Sequence, residues 1–173
     1  PQVTVETPDN ATIDLGTGAI RVFDNGPGMT SDSLEQAVRA GFSTNNPVDK
    51  LGLFGMGFNV ATARLGQRTE VWTTRINDDT WSGVAIDFDE IERGGFAVPA
   101  LSKPKTPAEK DRHGTEVIIS KLDEGRAKYL RTGGGAAATR NKLSRIYNKI
   151  MREKGLVIVL GGQQLSSREF CVW

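Results

Sequence analysis

Apolar and polar residues alternate in several short runs along the chain, and between those runs the apolar period lengthens to that of a helix. Val3 and Val5 alternate with Thr4 and Glu6. Residues 19–23, Ala-Ile-Arg-Val-Phe, repeat the strand pattern after Pro8-Asp9-Asn10 and Gly16-Thr17-Gly18, so the two runs predict a hairpin. Leu34, Ala37 and Val38 make one helical face behind a Thr30 or Ser31 cap, with Asp32 in the first turn and Gly41 at the end. Phe58, Ala61 and Leu65 make a second face, with Gly66 as its stop.

The patterning continues through the second half. Residues 69–76 and 81–88 flank the turn Asn77-Asp78-Asp79 and predict an antiparallel hairpin. In it Trp72, Trp81, Val84, Ile86 and Phe88 are core or sheet-face candidates, the tryptophans as packing residues. Phe96-Ala97-Val98 predicts a short strand, residues 102–112 a Pro- and Lys-rich surface loop, and residues 114–119 another strand. Residues 125–135 read as a glycine-rich link. Leu143, Ile146, Tyr147, Ile150 and Met151 then line one face of a single long helix over about 136–154, and residues 156–160, apolar on both faces, predict a covered strand. Antiparallel strands with helices between them and no regular βαβ alternation argue for an α+β, two-layer sandwich with a mixed, mostly antiparallel sheet and its helices on one face.

Composition narrows the function classes. A chain of 173 residues fits one domain of ordinary size with a real core, and 25% charged against 38% hydrophobic residues is a globular balance. The net charge of +1, from 22 basic and 21 acidic residues, carries no global signal for nucleic acid or membrane. Cys171 is the single cysteine, which excludes an internal disulfide and a thiolate-rich metal cluster and agrees with a reducing compartment. No apolar run reaches transmembrane length and no signal-peptide pattern opens the chain, so a cytoplasmic origin is the default expectation.

The candidate chemistry lies between Phe23 and Gly66. The strand ending at Phe23 runs into Asp24-Asn25-Gly26-Pro27-Gly28-Met29, which holds a carboxylate at a strand end and turns the chain at once. An ionised Asp only accepts hydrogen bonds, so a buried Asp24 calls for a donor such as an exocyclic amine. Gly28 lets a flat ring approach the backbone, and Met29 can pack on that ring. Downstream, Gly52, Gly55 and Gly57 precede the helix that starts near Phe58, so backbone N–H groups and the positive end of the helix dipole suit a phosphate chain. The GxxGxG spacing is neither a dinucleotide fingerprint nor a Walker loop. His113, the only histidine, reads as an exposed loop residue rather than a metal ligand.

These motifs in this order, DNGPGM, a Ser–Thr loop, LGLFGMGF and then His113-Gly114-Thr115-Glu116-Val117, resemble the GHKL ATPase superfamily of gyrase B, the ninety-kilodalton heat-shock chaperone, sensor histidine kinases and MutL. FSTNN and LGLFGMGF are closest in style to the chaperone and MORC branches. The resemblance implies the Bergerat ATP-binding fold over residues 1–173 as one domain, truncated at both ends, with a lid over about 42–57. It implies Asp24, Gly26, Gly28, Met29 and Thr115 around adenine, Ser43 and Thr44 in the lid, and Gly52, Phe54, Gly55, Met56, Gly57 and Phe58 toward the phosphates. Relatives often carry a Lys after the Ser–Thr pair, where this chain has Asn45; Lys50 reads as a solvated lid charge. ATP and Mg²⁺ are the implied cofactors. A homodimer of the intact parent and a protein or DNA client are the implied partners, with no membrane.

The family takes its catalytic Glu and its Mg²⁺-holding Asn from an N-box helix. Glu6 with Asp9 and Asn10 imitates that box but follows a strand and contains Pro8, so it reads as a turn. The N-box is expected upstream of Pro1, no catalytic or metal residue is assigned, and these residues alone are expected not to hydrolyse ATP. Three functions compete: an ATPase coupled to lid closure and dimerisation, a histidine-kinase-type domain, and a nucleotide-sensing module without turnover.

Overall fold

The computed structural model of the chain describes residues 2–6, 18–39, 56–95 and 99–168. Among them the strands are β1 (Gln2–Glu6), β2 (Ile20–Asp24), β3 (Gly66–Thr74), β4 (Thr80–Asp87), β5 (Ala100–Pro104), β6 (Gly114–Leu122), β7 (Val157–Leu160) and β8 (Gln163–Gln164). They form one sheet in the order β5-β4-β3-β6-β2-β1-β7-β8. Every neighbouring pair is antiparallel except β1 and β7. The helices are α1 (Ser31–Val38), α2 (Gly57–Leu65), α3 (Phe88–Glu92), α4 (Glu124–Arg131), α5 (Gly133–Ile146) and α6 (Asn148–Lys154). The mixed, mostly antiparallel α+β architecture is the one expected.

Because side chains alternate along strands, pairing register decides which residues share a face. Ile20, Ile119, Thr69 and Ile86 form one cross-strand row, and Val22, Val117, Val71 and Val84 the next. Asp24, Thr115, Thr73 and Ser82 form the third row on the same face. Helices cover the apolar rows. Ile20, Ile119 and Leu122 meet Ala127 of α4 and Leu65 of α2, while Val71 and Val84 meet Leu34 of α1 and Phe58 of α2. Each such side chain taken fully out of water contributes about 1.5–3 kcal/mol. The apolar floor therefore ends in a polar row. A third cluster joins Ile158, Leu160 and Leu165 to Leu143, Tyr147 and Met151 of the α5–α6 arm.

The opposite sheet face carries the tryptophan packing. The Trp72 ring lies so close over Gly83 that a Cβ there would stand 2.5 Å from it, and the indole N–H donates to Glu70 at 3.0 Å. Lys103 Nζ sits 4.4 Å from the Trp72 ring centre, and the Arg112 guanidinium 4.4 Å from that of Phe23. Trp81 is buried.

Several elements differ from the sequence expectation. Part of the 102–112 loop is edge strand β5, paired to β4 from Thr80↔Pro104 to Val84↔Ala100, followed by a 3₁₀ turn at Pro107–Glu109. The glycine-rich 125–135 link is helical: Asp123 caps α4 by accepting from Arg126 N, and Thr132 caps α5 by accepting from Gly135 N. A Cβ at Gly135 would collide with the Tyr129 carbonyl, so the glycine permits the tight α4–α5 corner. The single long helix is two, broken at Tyr147, and α6 ends on Gly155 at φ 62°. Helix α1 stops at Val38 rather than Gly41, with Ala37 exposed, and in α2 it is Thr62 rather than Ala61 that is buried. Helix α3 was not anticipated. Phe96-Ala97-Val98, Asp9, Asn10 and most of the lid lie outside the described residues.

Candidate functional site

Strand β2 delivers Asp24 to the polar row, and the chain turns directly after it. Asp24 Oδ1 accepts from Gly26 N at 2.8 Å, closing an Asx-type turn. Among the described residues no hydrogen bond reaches Oδ2. The Gly26 carbonyl accepts from His113 Nδ1 at 2.7 Å. A carbonyl only accepts, so Nδ1 carries the proton. His113 is thus half-buried and bonded to the turn, not the exposed loop residue expected. On the other flank, Asn25 N donates to Gln2 O at 3.2 Å and Gln2 N to Asn25 Oδ1 at 2.6 Å.

Gly28 has φ 75°, and a Cβ there would collide with the Thr74 carbonyl of β3. The β3 backbone alone therefore requires glycine at this position. Met29 packs into the Leu34–Val71–Val84 cluster, and its N–H donates to Thr73 Oγ1 at 2.9 Å.

Thr73 is the hub that sequence reasoning missed. It is 1% exposed, and its Oγ1 also lies 3.1 Å from the Gly114 carbonyl and 3.3 Å from Thr115 Oγ1. Its single proton goes to the carbonyl, which makes Thr115 the donor in the hydroxyl pair and leaves the Thr115 oxygen as an acceptor. Gly114, at φ 127°, presses on the Asp24 backbone closely enough that a Cβ would strike the Asp24 carbonyl. Asp24 and Thr115 are in consequence directly paired across β2 and β6.

The other expected cluster begins at α2. Its N-cap Met56 makes no side-chain capping bond, so the first N–H groups of the helix lack a capping side chain. Gly57 is exposed with nothing within 4 Å of where a Cβ would sit, while Phe58 is half-buried against the α1–β3–β4 cluster. Asn59 Nδ2 donates to the Val38 carbonyl at 3.2 Å and ties α2 to the end of α1. Ser43, Thr44, Gly52, Phe54 and Gly55, like Lys50, lie outside the described residues.

A sequence model of the family described as histidine kinase-, DNA gyrase B-, and HSP90-like ATPase matches residues 1–115. The chain belongs to this ATPase family. It thereby joins the GHKL superfamily that its motifs resemble. Among solved structures, the ATPase and transducer domains of DNA topoisomerase II from Balamuthia mandrillaris align over 95% of this chain and 42% of that one, with TM-score 0.58 and 17% identity. The Aquifex aeolicus MutL ATPase domain complexed with ADP aligns over 96% of this chain and 56% of that one, with TM-score 0.50 and 14% identity. At such identities the likeness is one of fold, and the chain spans about half the length of those proteins or less. No curated protein matches the chain.

Within the family frame, Glu6 ends strand β1, its backbone paired to Arg21 of β2, as the hairpin expectation had it. Among the described residues no three acidic, histidine or cysteine side chains come together as a metal site. No helix among them is long and apolar enough to cross a membrane.

Proposed function

We propose that residues 1–173 are one nucleotide-binding domain of a cytoplasmic ATPase, with ATP held at the polar row beneath α1 and α2. Asp24 accepts the exocyclic amine of adenine through its uncommitted oxygen. Gly26, Gly28, Met29 and Thr115 shape the base pocket, with the Thr115 hydroxyl oxygen as a second acceptor. The uncapped start of α2 at Gly57 and Phe58 meets the phosphates, together with Gly52, Phe54, Gly55 and Met56 of the preceding loop and Ser43 and Thr44 of the lid. Lid closure over about 42–57, Mg²⁺-dependent hydrolysis and dimerisation belong to the intact parent on this reading. Its loop sequences favour the chaperone and MORC branches, with a protein or DNA client.

The observation that carries the assignment is an acceptor-only carboxylate at the edge of an apolar floor, fixed by Gly26, Gly114 and β6, with one oxygen left over among the described residues. A charge-assisted contact to an amine contributes about 1.5–3 kcal/mol, so Asp24→Asn should weaken ATP binding roughly ten- to a hundredfold with the fold intact by circular dichroism. Unchanged affinity by calorimetry would remove Asp24 from the base pocket. Steady-state phosphate release by the intact parent separates turnover from sensing, and radiolabel transfer to protein would reassign it as a kinase.

A further inference from the structure

A small polar cavity of about 130 Å³ lies far along the chain from the Asp24 turn, between α5 and the segment that follows β7. Arg140, Asn141 and Ser144 share one face of α5, being three and four residues apart. Gln164, Ser166 and Arg168 line the other wall. Among the described residues no carboxylate lines the cavity and neither arginine makes an ion pair. Ser144 is 4% exposed. Both walls are anchored: Leu165 is buried with its N–H donating to Ile158 O at 2.8 Å, and Arg168 N donates to Ser144 O at 3.3 Å.

We propose that this cavity is a binding site for a phosphate group. Two guanidinium groups present planar forks that match a tetrahedral oxyanion, and amides and hydroxyls supply further donors. A donor-rich wall without a carboxylate selects anions over cations, and 130 Å³ admits one phosphate group with a few waters but no nucleoside. The anion is either the free ion or one phosphodiester of a nucleic-acid strand. The inference is independent of the nucleotide assignment at Asp24.

The test is a titration of the 173-residue chain with inorganic phosphate, with chloride exchanged to hold ionic strength constant, followed by amide NMR. The amides of Asn141, Ser144, Gln164 and Arg168 should shift and saturate. Arg140→Gln and Arg168→Gln should each raise Kd on the order of tenfold without moving Tm. Arg140→Lys, which keeps the charge but not the fork, should fall between. Should Arg140→Gln not fold, Arg168→Gln and Ser144→Ala carry the comparison. Shifts that do not saturate, that chloride reproduces, or that survive Arg168→Gln overturn the site. A single-stranded oligonucleotide at equal phosphate concentration identifies the source: saturation of the same amides at lower concentration indicates a phosphodiester, and no gain indicates the free ion. Either result upholds the site.

Discussion

Two buried threonines, four residues apart on the same face of β3, offer an internally controlled test of how the site is held. Thr73 is 1% and Thr69 0% exposed. The Thr73 hydroxyl accepts from Met29 N, donates to Gly114 O and pairs with Thr115, whereas Thr69 Oγ1 has no partner. Valine keeps the shape and removes only the hydroxyl. In Thr73→Val the Met29 N–H and the Thr115 hydroxyl lose their acceptor and the Gly114 carbonyl loses a donor. At about 1–3 kcal/mol for each polar group left unsatisfied, and with Thr115 only half-buried and so able to turn its hydroxyl toward water, the expected loss is about 2–4 kcal/mol. Thr69→Val deletes a hydroxyl already desolvated without compensation, so its expected effect lies between zero and about 1 kcal/mol of added stability. Urea unfolding of both variants at one pH reads these differences directly, with m-values checked for two-state behaviour. ATP affinity adds a second axis: loosening Met29 and Thr115 should weaken binding in Thr73→Val and leave it unchanged in Thr69→Val. Equal destabilisation by the two, or a larger loss in Thr69→Val, would refute the hydrogen-bond assignment around Thr73.

Two further outcomes are expected. Gly57→Val adds a side chain into open space, so the fold should persist while ATP loses more affinity than adenosine; equal calorimetric losses for both ligands would mean the helix start does not meet the phosphates. Burial pushes the Glu70 carboxyl up, but hydrogen bonds from Trp72 and Arg68 and the charges of Arg68 and Lys103 outweigh it and hold the group below the ordinary value of 4.5. A depressed folded-state pKa contributes stability above the unfolded value that is lost as pH falls through the folded value. The stability deficit of Glu70→Gln in urea should therefore be full at pH 7 and shrink below about pH 4.5, and a deficit independent of pH would refute the electrostatic cause.

What the chain's own pattern reveals depends on how local each determinant is. The β3–β4 hairpin was legible because its turn and both alternating runs lie within about twenty residues. Strand β5 was not, because Ala-Leu-Ser-Lys-Pro has little β-propensity and pairs only because β4 offers a free edge; its Lys103 and Pro104 are residues that keep an edge from pairing further. The helical run 124–135 was hidden by its glycines, whose low propensity is offset by two side-chain caps and by the buried Ala127. The break at Tyr147 falls inside an unbroken apolar period, since Leu143, Tyr147 and Met151 continue onto β7 across it. Periodicity reports the buried face, not the continuity of the helix beneath it.

The site divides along the same line. The turn at Asp24 was legible because the strand, the carboxylate and the glycines lie within a few residues of one another. The groups that aim it were not: Thr73 sits 49 residues away in sequence, His113 89, and neither carries a local signal. The motif glycines show why a motif can be found for one reason and required for another. Gly28 faces the Thr74 carbonyl, Gly114 the Asp24 carbonyl, and Gly66 the Ser120 carbonyl, each in a different strand. Gly66, expected as the stop of α2, does cap that helix, but in an extended conformation at φ −164° that opens β3 directly. In each case the missing side chain is demanded by a backbone brought close through sheet register, so these residues join the site's chemistry to the sheet's pairing. A change that shifts the β2–β6 register by one residue would turn Asp24 to the opposite face and dismantle the polar row as a unit.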